Sequence, residues 1–145
     1  MPGKKLHKMI TEEMKACMQG AIPSTIITCS KDGIPNATVI SQVYYVDELH
    51  IALSFQFFSK TIKNVRENPY ASVTIIHPHT CENWTIEIEY IRSETDGPVF
   101  ETMDMQLEAI ASMTGMSGIF KLKAADIYRV KAVHKNVSIP LNSNG

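Results

Sequence analysis

The segment Leu53-Ser54-Phe55-Gln56-Phe57-Phe58-Ser59-Lys60-Thr61-Ile62-Lys63-Asn64 concentrates residue types that can hold an anion. A strand is expected to end near Phe55 and a helix to start at Ser59-Lys60-Thr61. The start of a helix exposes backbone N–H groups that have no partner within the helix, and it carries a partial positive charge. Two hydroxyls and an ammonium at that point complete a phosphate cradle. The same residues also suit a plain Ser cap beside a solvated lysine, and taken alone they favour that simpler role. Phe55, Phe57 and Phe58 change the balance. An apolar wall beside an anion cradle suits a ligand with a flat ring and a phosphate tail.

Other candidate groups are weaker. His77, His79 and Cys81 could ligate zinc or iron, but no fourth ligand is evident and the spacing matches no common zinc motif. No metal site is therefore assigned. Glu87 and Glu89 fall on the polar side of an alternating strand, where a solvated or salt-bridged face is expected rather than paired-carboxylate chemistry. Trp84 reads as core, with stacking at an interface as the alternative. Met103, Met105, Met113 and Met116 read as packing or dimer contacts, with a lid as the other option. Cys17, Cys29 and Cys81 are read as structural.

These groups need a frame. Thr11 can cap a helix running towards Gly20, with Glu12 and Glu13 in its first turn. Residues 24–29 are rich in β-branched side chains and predict a strand. Lys31-Asp32-Gly33 signals a turn, and 36–46 reads as one long second strand. Asp47-Glu48 turns the chain and 49–55 returns. The Ser59 helix must stop before Pro69, with Ile62 and Val65 facing inward. Strands follow at 70–76 and 84–90, the latter alternating apolar with polar. Asp96-Gly97-Pro98 opens a helix with Val99, Met103, Leu107 and Ile110 on its apolar face, and Gly115 and Gly118 flank its exit. Residues 119–122 and 127–133 predict two last strands. The expected fold is mainly β: a six- to seven-stranded antiparallel split barrel with flanking helices.

The length of 145 residues suits one domain, read as 1–134 with a loose tail at 135–145. A net charge of −1 without a basic run excludes an electrostatic footprint for nucleic acid. No apolar stretch approaches the roughly 20 residues that span a bilayer. Three irregularly spaced cysteines argue against a disulfide framework, so a cytoplasmic location is expected.

Four motifs in order carry a resemblance: Gly33-Ile34-Pro35-Asn36-Ala37-Thr38, then Ala52-Leu53-Ser54, then Ser59-Lys60-Thr61-Ile62-Lys63-Asn64-Val65, then Asn68-Pro69-Tyr70-Ala71-Ser72-Val73. The order, over about residues 20 to 92, resembles the FMN-binding split barrels related to pyridoxamine-5′-phosphate oxidase. The resemblance implies a homodimer with FMN at the subunit interface. By position, Lys60 and Thr61, with Ser59 beside them, match the pair that holds the FMN phosphate. Thr38, Val39, Ile40 and Ser41 match the strand whose backbone lies along the isoalloxazine ring, and Leu53 and Ser54 match the neighbouring strand's contacts. Asn64 matches an anchor near the phosphate end. Asn83, beside Trp84, falls where the partner subunit offers a polar group to the flavin. Three features of the oxidase pattern are not matched: an Arg near Thr38, a second basic residue at the family's position near Thr61, and a basic C-terminal segment. Pyridoxamine-phosphate oxidase activity is therefore not expected. The implied function is a flavin-dependent oxidoreductase acting on a small molecule, with no side chain singled out as catalytic. The alternatives are a non-enzymatic flavin- or haem-binding sensory module and a cofactor-free dimerisation domain.

Overall fold

The computed structural model describes residues 9–18, 22–55, 59–113, 115 and 121–136. The elements in chain order are α1 (Glu12–Lys15), β1 (Ser24–Cys29), β2 (Pro35–Ile40), β3 (Val43–Asp47), β4 (His50–Phe55), α2 (Ser59–Glu67), β5 (Tyr70–Ile76), β6 (Asn83–Glu94), α3 (Gly97–Met113) and β7 (Ala124–Lys135). All seven strands join one antiparallel sheet in the order β2-β1-β5-β6-β7-β4-β3.

That order requires the sheet to curl. β2 and β3 are its two outer strands, yet only Ser41 and Gln42 separate them in the chain. Seven flat strands about 4.8 Å apart would put the outer two roughly 29 Å apart. Three Cα steps reach at most about 11 Å. The edges must therefore come round to meet, which makes a barrel with a seam at Ser41-Gln42. The Ser54 N–H donates to the Gln42 carbonyl at 3.3 Å and helps hold that seam.

The barrel encloses one core and carries a second outside it. Ile26, Ile40, Ile51, Leu53, Val73, Ile86, Ile88, Tyr128 and Val130 pack inside, with Val65 of α2 and Met14 of α1. On the outer face, Met103 and Leu107 of α3 pack on Ala52, Ala125 and Ile127. β4 and β7 are thus covered on both faces, which explains their nearly unbroken burial.

Several expected boundaries shift. The long strand 36–46 is two strands, because the chain leaves one edge of the sheet and enters the other at Ser41-Gln42. The first helix is four residues long; Thr11 caps it by accepting from the Met14 N–H at 3.4 Å. On α3 the buried positions are Met103, Leu107 and Ala111, so Ala111 takes the place expected for Ile110. Of the strand expected at 119–122, residues 121 and 122 are not in a strand, and 119–120 lie outside the described residues. The final strand runs from 124 to 135 and so includes Lys135, expected at the start of the tail; 137–145 lie outside the described residues. No helix among the described residues is long and apolar enough to cross a membrane.

Candidate functional site

α2 closes one end of the barrel against the inner faces of β1 and β2. Ile62 and Val65 enter the core as the sequence predicts. Two polar residues of the same helix are buried with them, Thr61 and Asn64. Asn64 Nδ2 donates to Thr28 Oγ1 of β1 at 3.0 Å. Thr61 Oγ1 donates to Thr38 Oγ1 of β2 at 3.2 Å. Asn36, two residues before Thr38 and on the same side of β2, donates from Nδ2 to Thr38 Oγ1 at 3.2 Å and to Thr61 Oγ1 at 3.4 Å. Buried polar groups are expected to be paired, and here they pair with one another across the helix–strand contact.

This cluster sits at the start of α2. Ser59 opens the helix, the exposed Lys60 follows, and no acidic residue occupies the first turn to neutralise its positive end. Among the described residues β2 has a strand neighbour on one side only, so its other side presents backbone groups that no described strand pairs. The strand expected to lie along a flat ring is therefore a sheet edge.

The structure brings Thr38 and Thr61 together, with the exposed Lys60 next to Thr61 in the chain and Asn64 on the same helix held to Thr28. Val39 points to the outer face and is 58% exposed. Ile40 and Leu53 point into the core. Ser41 lies in the seam between β2 and β3. Ser54 is buried, and its Oγ has no hydrogen-bond partner among the described residues. Asn83 and Trp84 begin β6, three strands from β2. Both ends of the Asn83 amide are engaged within the chain: Oδ1 accepts from Asn136 at 2.6 Å and Nδ2 donates to the Cys81 carbonyl at 3.1 Å. Trp84 packs against the core with the Lys135 ammonium 5.4 Å from its ring centre. Gln56, Phe57 and Phe58 lie outside the described residues.

The other sequence candidates take structural places. His77 Nδ1 accepts from the His79 and Thr80 N–H groups and so closes its own turn. Glu87 meets His134 and Glu89 meets Lys131, each at 3.5 Å, on a half-solvated face. Asn36 is the participant that the sequence reading missed. The signal was its spacing of two from Thr38 on a strand, which puts both polar groups on the same face.

A phosphate needs donors, and the site has them: the Lys60 ammonium, the first-turn N–H groups of α2 and the hydroxyls beside them. A ring lying along β2 needs an open strand edge, and β2 is an end strand of the described sheet. Ser54 Oγ is a buried oxygen without a partner among the described residues, on the face of β4 that carries Ala52. The residues present fit a flavin nucleotide. A separate shallow groove of about 370 Å³ lies on the outer sheet face, lined by Ile27, Tyr70, Ser72, Glu87 and Lys131 among others. None of the predicted site residues lines it.

Comparison with solved structures supports the fold. An FMN-binding protein from Syntrophomonas wolfei subsp. wolfei superposes with a TM-score of 0.69 at 15% identity, covering 83% of this chain and 80% of that one. An F420 reductase gives 0.65 at 12% identity, covering 88% and 100%. HutZ, a haem storage protein from Vibrio cholerae, gives 0.57 at 15% identity, covering 87% and 94%. At these identities the likeness is one of fold. The sequence model of the family described as Pyridoxamine 5'-phosphate oxidase matches residues 10–131, from α1 into β7 and through every strand of the barrel. With that match over most of its length, the chain belongs to the pyridoxamine 5'-phosphate oxidase family.

Proposed function

We propose that this chain is an FMN-binding flavoprotein, a homodimer that acts as a flavin-dependent oxidoreductase on a small molecule. The observation that carries the reading is the Asn36–Thr38–Thr61 cluster joining an edge strand to the lysine-bearing start of α2. Family membership and an FMN-binding protein of the same fold support it.

Bound FMN supplies the electron transfer, since its ring accepts and returns electrons. The chain's own part is binding and placement. Lys60 and the first-turn N–H groups of α2 balance the phosphate's charge. β2 offers its open edge to the ring, and the buried base of α2, pinned by Asn64 to Thr28, keeps the two parts of the site in fixed relation. No carboxylate or imidazole stands among these residues, and none of them is assigned a proton transfer.

The test is the double variant Lys60→Ala/Thr61→Ala. It is expected to fold and to lose at least tenfold in FMN affinity, measured by quenching of flavin fluorescence. Unchanged affinity would remove the phosphate assignment. Turnover of a reduced nicotinamide that depends on bound flavin marks the enzyme; flavin bound without turnover marks a sensory module instead.

A further inference from the structure

Hydrogen atoms can be counted in the Asn36–Thr38–Thr61 cluster. Asn36 Nδ2 carries two hydrogens and donates to both threonine oxygens, at 3.2 and 3.4 Å. The two hydroxyls carry one each. The Thr61 hydroxyl donates to Thr38 Oγ1 at 3.2 Å, and only one hydrogen can lie between the two oxygens. Thr38 Oγ1 then accepts twice, from Asn36 and from Thr61, and no acceptor within the triangle remains for its own hydrogen. One uncommitted hydroxyl hydrogen results, and it belongs to the residue nearer the surface. Thr38 is half-buried on the edge strand, whereas Thr61 is 8% exposed. Two donors on one oxygen also polarise its O–H bond and strengthen it as a donor.

We propose that the Thr38 hydroxyl is a neutral donor to the phosphate of the flavin nucleotide, and that Asn36 and Thr61 are positioning residues that aim it. The proposal rests on the FMN reading above. It gives the side chain of Thr38 a role besides the ring contact expected of its backbone. It also makes Thr61 a residue acting through Thr38 rather than the principal hydroxyl on the anion. A chain with one cation at this helix start thus adds an oriented hydroxyl to it.

The experiment titrates the full chain with FMN and with riboflavin, which has the same ring without the phosphate, following fluorescence quenching. Apo-protein melting is recorded for every variant. Thr38→Val is expected to weaken FMN by about tenfold or more, the scale of a hydrogen bond to a charged group. Its riboflavin affinity is expected to stay within twofold, and Thr38→Ser to restore FMN binding. Thr61→Val and Asn36→Ala are expected to cost less than Thr38→Val, because the Thr38 hydrogen survives and only its aim is lost. In the Thr38→Val background, Asn36→Ala is expected to add nothing. Should Val at position 38 prevent folding, Thr38→Ala against Thr38→Ser makes the same comparison. A larger loss from Thr61→Val than from Thr38→Val would overturn the proposal. So would equal weakening of FMN and riboflavin by Thr38→Val. If Lys60→Ala weakens FMN while Thr38→Val does not, the proposal fails and the FMN reading stands. If the unaltered protein binds neither flavin, both fail together.

Discussion

At the scale of single residues, the least comfortable group in the barrel is Asp126. It is 5% exposed, and its described hydrogen bond is from Ser93 Oγ to Oδ1 at 2.6 Å. Tyr90 Oη lies 2.6 Å from the same serine oxygen and donates to it, so a short chain of hydroxyls ends on the carboxylate. Tyr128, next to it on the same face of β7, meets Tyr90 edge-on at 5.5 Å. Burial pushes the Asp126 carboxyl up to about 6, against the Ser93 hydrogen bond and the more distant charge of Arg66. The sign follows: a folded-state value above the unfolded one stabilises the protonated form. That stability is fully present below about pH 4 and is lost as pH rises through about 6. A shift of this size is on the order of 3 kcal/mol. Glu13 works in a different window, because its hydrogen bond to Lys135 lowers it and its contribution disappears only in acid. Asp126→Asn keeps an oxygen for Ser93 and removes the titration. The melting temperature of the variant is expected to be flatter than the parent's between pH 4 and 7, and equal slopes would count against the assignment. The sequence reading assigned no role to Asp126 or Asn36, and the spacing of Asn36 from Thr38 gives a shared face but no partner. Both are short polar residues whose role depends on which strand lies opposite, and pairing partners are set by topology rather than by local pattern.

At the scale of elements, local pattern served well wherever one face of an element alone was buried. The alternation of β6 and the inner face of α2 at Ile62 and Val65 were readable for that reason. It failed where the chain changes sheet edge without a glycine or proline. Ser41-Gln42 looks like the middle of a strand, and only closure of the barrel makes it a corner. α3 was readable as a helix but not in its final turn, where Ala111 rather than Ile110 is buried. Its energetics are concentrated in few residues. Met103 is fully buried against Ala52, Ala125 and Ile127, whereas Met105 is 71% exposed. Met103→Ala is expected to cost about 2–5 kcal/mol through lost burial and a residual cavity. In thermal denaturation this reads as a fall of roughly 5–15 °C. Met105→Ala is expected to fall within about 0.5 kcal/mol of the parent. Similar losses from both would mean that α3 is not seated as described.

At the scale of the whole molecule, the order of motifs announced a split barrel, and the two-residue link between the outer strands explains physically why it closes. What no single chain explains is its outer face. Val39 of β2, Ile27 of β1 and Tyr70 of β5 are 58%, 43% and 61% exposed. The register makes them neighbours: Ile27 stands opposite Ala37 on one side and Ser72 on the other, so Val39 and Tyr70 are its diagonal partners. A strip of large apolar side chains across three strands, beside a groove lined by Ile27 and Tyr70, is a surface that water disfavours. Beyond it run Glu87 with His134 and Glu89 with Lys131, a border of both signs that a twofold-related copy can complement. The homodimer proposed above needs a surface of this kind, and this strip, with β2 at its rim, is its expected contact. Tyr70→Glu puts a charge on the strip two strands from β2 and far from Lys60, at a position exposed enough to leave the fold intact. The variant is expected to run as a monomer in light scattering at concentrations where the parent is a dimer, and to lose flavin affinity in step with dissociation. A parent that is already monomeric, or a variant that stays dimeric, would assign the contact to another face. A monomeric variant with full flavin affinity would show that one subunit suffices to hold the cofactor.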